Sequence, residues 1–211
     1  MLKVTIFSYL GTLCSATVIP TCKSFTETFD TLQPNPLGEV LPILNQVGTG
    51  TYKNLNYGTA VLTPFENSLL PPITPKSPNN TAVIGVGLTL IGGLPTGSVG
   101  ITPQSTIKPA GTTKSFDLDS LYIACGLNAM NSLVGVRTAC GVTITGKDIN
   151  GNDLPSQTLE WGPDELVGSS MEYWKLDGIV KAKEVTIKIT SSLSQTLTIV
   201  FLDNVKYCVR T

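Results

Sequence analysis

Period two, not the period of a helix, organises this chain. Residues 183–189 (KEVTIKI) alternate without a break, so Val185, Ile187 and Ile189 share one face of a pleated strand. Residues 24–30 (SFTETFD) alternate too and put Phe25, Glu27 and Phe29 on one side, while in residues 115–124 Phe116, Leu118 and Ser120 share a face. Residues 81–91 are apolar but interrupted by Gly85 and Gly87, the pattern of a buried, bulged strand. Residues 133–145, 157–161, 171–176 and 196–209 complete the strand set, and only residues 35–46 leave room for a helical turn. Strands at this spacing, with turn residues between them, predict an all-β chain built as a two-sheet antiparallel β-sandwich.

The composition agrees with short strands joined by many turns. Charged residues are 14% of the 211, against 20 glycines and 14 prolines, and the length suits one sizeable core. A net charge of −1 and the absence of any basic run argue against nucleic acid and against an electrostatic membrane anchor. Residues 63–80 carry Pro64, Pro71, Pro72, Pro75 and Pro78 and read as a long irregular loop. Asp148-Ile149-Asn150-Gly151-Asn152-Asp153 reads as a hairpin, because Asn-Gly tolerates the positive φ a tight turn demands. A calcium loop is the alternative there, but Gly151 stands at the wrong offset from Asp148 for an EF-hand.

The N-terminus predicts export. Lys3 supplies a positive start, residues 4–13 are apolar, and Cys14-Ser15-Ala16 offers small residues for cleavage, so residues 1–16 read as a leader and 17–211 as a single domain. The apolar stretch is too short to span a bilayer, and the C-terminal residues show no lipid-anchor tail. Cleavage leaves Cys22, Cys125, Cys140 and Cys208, an even set that implies two disulfides in one of three connectivities. Cys22 and Cys208 lie near the two ends of the mature chain, and Cys125 and Cys140 are spaced for two strands and a loop, so Cys22–Cys208 and Cys125–Cys140 are the expected pairs. With no CxxC and no histidine, a zinc site is disfavoured. Asn79-Asn80-Thr81 is a glycosylation sequon in an exposed setting.

The absence of histidine removes Ser-His-Asp and Cys-His catalysis and the usual zinc hydrolases, and leans the reading away from an enzyme. A carboxylate pair remains open, with Glu160, Asp164, Glu165 and Glu172 as the acids near the tryptophans. Sugar rings stack on aromatic faces, and Tyr52, Tyr57, Trp161, Tyr173 and Trp174 are the aromatics available for such a platform; core packing competes for each tryptophan. Tyr173 and Trp174 are adjacent in a strand and must point to opposite faces. Oxygen-rich calcium ligands are also at hand: Glu27 or Asp30 from the first mature strand and Asp203 from the last, with simple turn capping and solvation as the alternative.

Two resemblances rest on these motifs. Phe29-Asp30 with Phe201-Leu202-Asp203-Asn204-Val205 resembles the terminal strands of jelly-roll carbohydrate-binding modules of the galactose-binding-like superfamily. That likeness implies a structural calcium held by Glu27 or Asp30 together with Asp203. Residues 115–125 (SFDLDSLYIAC), residues 139–146 (ACGVTITG) and Leu202-Asp203-Asn204-Val205 are similar to a large group of secreted fungal proteins of unknown function. That similarity implies a jelly roll and an extracellular, fungal setting, supports Cys125–Cys140 as a bridge, and carries no activity. The resulting expectation is a secreted, non-catalytic module for a cell-wall or host glycan. The alternatives are a secreted structural or effector protein with a protein partner, docking through an apolar patch at residues 82–94, and, third, a carboxylate-based glycosidase or lyase.

Overall fold

The computed structural model describes residues 22–32, 47–48, 51–64, 73–78, 80–85, 87–91, 94–100, 103–127, 137–163, 169–190 and 198–211. The leader expected at 1–16, the helical turn expected at 35–46, the sequon residue Asn79, and Asp164 and Glu165 lie outside them. In chain order the first strands are β1 (Lys23–Glu27), β2 (Val47–Gly48), β3 (Thr51–Tyr52), β4 (Leu55–Asn56), β5 (Val61–Pro64), β6 (Ile73–Thr74), β7 (Asn80–Ile84), β8 (Gly87–Ile91) and β9 (Leu94–Gly100). There follow β10 (Gln104–Pro109), β11 (Ser115–Leu127), β12 (Cys140–Asp148), β13 (Gln157–Trp161), β14 (Ser169–Ser170), β15 (Glu172–Lys175), β16 (Ala182–Ile189) and β17 (Thr198–Arg210). No helix occurs among the described residues.

One large antiparallel sheet curls into a sandwich. In one layer β17 is central: β7 pairs with its first half and β1 with its second, while β11 runs along its other edge. β15 extends this layer beyond β11, and β5 and β2 extend it beyond β7. The other layer runs β13, β12, β16, β10, β4, β3, and the two meet where Phe116 of β11 pairs with Ala182 of β16. β8 and β9 form a separate hairpin, and β6 and β14 a short parallel pair.

The alternation read from the sequence sets the core. Val185, Ile187 and Ile189 of β16 are buried against Phe116 and Leu118 of β11 and Val200, Leu202, Val205 and Tyr207 of β17, in one cluster. Each fully buried side chain of this kind contributes about 1.5–3 kcal/mol relative to exposure. Two disulfides brace the build. Cys22–Cys208 fastens the start of β1 to β17 (Cα–Cα 5.5 Å), and Cys125–Cys140 ties β11 to β12 across the layers (Cα–Cα 6.1 Å). Two such bridges are consistent with an extracellular protein.

Two segments depart from the sequence reading. Residues 81–91 are two strands, not one. Gly85 adopts φ +104°, and a Cβ there would sit 2.7 Å from the Thr198 carbonyl oxygen, so the chain turns at Gly85 and sends β8 to its own hairpin. The proline-rich stretch 63–80 also holds β6 and the first residue of β7, and its residues 75–78 pack onto the large sheet. The turn at 148–153 is the hairpin the Asn-Gly pair predicts. Gly151 has φ +86°, and the Asp148 carboxylate accepts from the backbone N–H groups of Asn150 and Asn152 and from the Asn152 amide. Those bonds, the Asn152 side chain's first, hold the Asp148 carboxyl below its ordinary value.

Candidate functional site

The aromatic side chains divide sharply by burial. Tyr52, Tyr57 and Trp161, expected as platform rings, belong to the core. Tyr57 packs edge-on to Phe29, with ring centroids 5.3 Å apart, and Trp161 lies on the inner side of β13. This corrects the platform reading for these three, because a buried ring presents no face to a polymer. Trp174 is partly buried and packs against the core, so it too turns inward. Tyr173, its neighbour, turns outward and is 51% exposed.

Tyr173 has a partner that the sequence reading did not select. β15 pairs with β11 in the register Leu121↔Trp174 and Tyr122↔Tyr173, and the two tyrosine rings lie 5.4 Å apart, tilted by 58°. Strict alternation from Phe116 would turn Tyr122 inward with Leu118 and Ser120. Register shifts between Leu118, Ser120 and Tyr122 intervene, so that Ser120 and Leu121 are both buried and Tyr122 emerges on the outer face. Lys76, from the strap at 75–78, places its Nζ 5.1 Å from the Tyr122 ring centroid. Such a contact is worth about 0.5–1 kcal/mol at an exposed site.

The same outer face continues along β11 through Asp119 and Asp117. Lys175 of β15 lies 2.5 Å from Asp119, and Lys206 of β17 lies 3.4 Å from it. The bond from Lys175 lowers the Asp119 carboxyl below its ordinary value. Asp117 accepts from Arg210 at 2.5 Å and from the Lys181 backbone N–H at 2.7 Å. Beside these acids a cleft of about 280 Å³ opens, walled by Leu176, Ile179, Val180, Lys206 and the two aspartates. Asp117 also lies against Cys22 and Cys208, but both sulfurs are consumed by their disulfide and offer no thiolate to a metal.

The expected calcium ligands separate. Glu27 is fully buried: Tyr207 donates its hydroxyl to Oε1 at 2.7 Å, and Lys53 Nζ forms an ion pair with Oε2 at 2.8 Å, although Oε2 has no hydrogen bond of its own among the described residues. Burial, then the bond to Glu27, raises the Tyr207 phenol far above its ordinary value. Glu27 is therefore removed from the calcium set, since its charge already has a cation. Asp30 and Asp203 remain together. Asp203 is fully buried and accepts from the Ser77 backbone N–H (2.7 Å), the Ser77 hydroxyl (2.9 Å) and the Asn204 backbone N–H (2.7 Å). Burial raises its carboxyl above the ordinary value, and the negative charge of Asp30 adds to the rise.

The Ser77 hydroxyl also reaches the Thr28 carbonyl (3.3 Å), Asp30 accepts from the Asn80 backbone N–H (3.1 Å), and Asn204 Oδ1, on the residue after Asp203, is buried with no hydrogen-bond partner among the described residues. Phe29 and Asn204, which adjoin the two aspartates, hold φ of 62° and 45°, a conformation rare for residues other than glycine. Two neighbouring carboxylates, with no basic side chain bonded to Asp203 among the described residues, offer the oxygen ligands a hard divalent cation takes.

The remaining acids stand apart. Glu160 lies on β13 and Glu172 on β15, each exposed and in a different layer. Of the apolar stretch 82–94 expected to face a partner, Ala82, Val83 and Ile84 are buried in the core, and the side chains beyond Gly85 lie outside the described residues.

No protein-family model matches the chain, and no curated protein matches it. Among solved structures it is similar to a DUF4465 family protein from Bacteroides caccae, with a TM-score of 0.55 and 13% identity over 89% of this chain and 100% of that one. A fainter likeness, with a TM-score of 0.41 and 7% identity, covers 87% of this chain and 25% of an arabinose-bound α-L-arabinofuranosidase. At such identity the first likeness speaks to fold alone, and the second is too weak to bear on function.

Proposed function

We propose that this chain is an exported, non-catalytic module that binds a cell-wall or host polysaccharide on its Tyr122–Tyr173 face. One observation carries the reading: Tyr173 stands 51% exposed on a paired strand, with the Tyr122 ring 5.4 Å away and backed by rigid sheet. An exposed ring held against a half-buried one loses little entropy on binding and offers an apolar face with a polar rim, which suits the C–H faces and hydroxyls of sugars. The cleft beside Asp119 lengthens that face along β11. The two disulfides support the extracellular setting.

The same reading includes one structural calcium ion. Asp203, Asp30, the Ser77 hydroxyl and Asn204 Oδ1 would hold it. Its charge would offset two carboxylates that otherwise repel each other in a buried setting.

Retention on insoluble polysaccharides tests the proposal. The wild-type chain is expected to stay on at least one polymer of a neutral and acidic panel, and Tyr173→Ala to wash through. Equal retention of both proteins contradicts the aromatic-face reading. Wild-type passage through every polymer, combined with capture of a protein, would move the assignment to the interaction-protein alternative.

A further inference from the structure

Resting on the proposed glycan reading, we infer that the ligand is an acidic polysaccharide, with carboxylate or sulfate groups spaced along the sugar chain. The charges around the tyrosine pair carry this. Lys76 lies over Tyr122, and no carboxylate stands within ion-pair distance of it among the described residues. Two exposed lysines, Lys175 and Lys206, share the carboxylate of Asp119, and Lys206, at 3.4 Å against 2.5 Å for Lys175, is the more loosely held. Asp117 is neutralised by Arg210 and takes no part in that balance. Asp177, beyond Leu176, adds a negative charge near Lys175 at the far end of the face. Lys175 and Lys206 balance Asp119 and Asp177, so an incoming anion recruits Lys76, which has no ion pair among the described residues, and Lys206, which is held at 3.4 Å by an acid that Lys175 already serves.

Geometry supports the assignment as well as charge. The face runs from Tyr122 and Tyr173, past Lys175 and Lys206, into the cleft bounded by Ile179 and Val180, following the direction of β11. Tyr173 and Lys175 are successive outward residues of β15, spaced ~6.6 Å apart, so a ring and a cation follow one another along that strand. Surface ion pairs such as those of Asp119 are worth ~0–1 kcal/mol, so a ligand anion displaces Asp119 from a lysine at little cost. A neutral glycan takes hydrogen bonds from the same side chains but not the charge attraction.

The test is affinity electrophoresis or pull-down on polygalacturonate, its fully methyl-esterified form, a sulfated glycan and a neutral glucan, at low and high salt. Tighter binding to the acidic polymers, weakening between 0.05 and 0.5 M salt, is expected because the screening length shrinks from ~14 Å to ~4 Å over that range. Preference between polygalacturonate and the sulfated polymer decides which anion is the natural one. Lys76→Gln and Lys206→Gln should each weaken acidic-polymer binding by about three- to tenfold more than they weaken neutral-polymer binding. Equal binding of the acid and ester forms, insensitive to salt and to both lysine variants, overturns this inference while the glycan reading stands. Failure to bind any of the four polymers overturns both.

Discussion

Ser77 donates both its backbone N–H and its hydroxyl to Asp203, a carboxylate with no exposure to solvent, while the residue before it, Lys76, covers Tyr122. In the sheet, Asp203 and Tyr122 are register partners. The buried acid and the outer aromatic face are thus joined by two consecutive residues of a strap. Asp203 anchors the backbone next to Lys76. Removing the hydroxyl in Ser77→Ala should cost about 1.5–3 kcal/mol, the usual worth of a hydrogen bond to a charged group, measured by urea denaturation.

Calcium should stabilise the chain through the same acid. At one hundred times its dissociation constant a bound ion adds about 2.7 kcal/mol, seen as a higher Tm in calcium than in chelator. Asp203→Asn should abolish that difference. A Tm unchanged by calcium in the wild-type chain would remove the ion from the account.

The two kinds of aromatic should behave oppositely on truncation. Trp161→Ala empties a core position and should cost about 3–5 kcal/mol. Tyr173→Ala, on the surface, should change stability by less than about 0.5 kcal/mol while abolishing polysaccharide retention. Thermal melts and retention assays on the same two proteins separate these outcomes.

Acid should weaken the fold through Asp119. Its carboxyl is held below the ordinary value by Lys175, so the native state binds that proton less readily than the unfolded chain. The stabilisation is fully present above the unfolded value, about 3.9, and is lost as pH falls through the lower native one. Asp119→Asn should flatten the acid side of the stability profile, and an unchanged slope would deny the pairing.

The disulfides should not be equivalent. Cys22–Cys208 closes a separation of 186 residues and Cys125–Cys140 one of 15. Chain entropy then assigns about 5 kcal/mol to the first and about 3 kcal/mol to the second. Paired Cys→Ser variants compared by denaturation should show the larger loss for the long loop.

Alternation was enough to place Val185, Ile187 and Ile189 inside, because a half-buried strand encodes its face in every second residue. It also separated Tyr173 from Trp174. The same rule misplaces Tyr122, since the irregular pairing near Ser120 shifts the pleat, and nothing in an apolar run such as SLYIA marks such a shift. Lys76 sits in a proline-rich stretch with no period, so its approach to Tyr122 depends on tertiary contacts alone. Glu27 looked like a calcium ligand for a related reason. Its neutralising partner, Lys53, comes from a hairpin turn that no pattern around Glu27 announces.

Chemical-shift mapping with a soluble acidic oligosaccharide tests the central claim most directly. The account predicts shifts concentrated on residues 119–123, 172–176 and 204–206 and on Lys76, with the buried rings of Tyr57 and Trp161 unmoved. Shifts centred on another face, or none with any oligosaccharide at millimolar concentration, would contradict it.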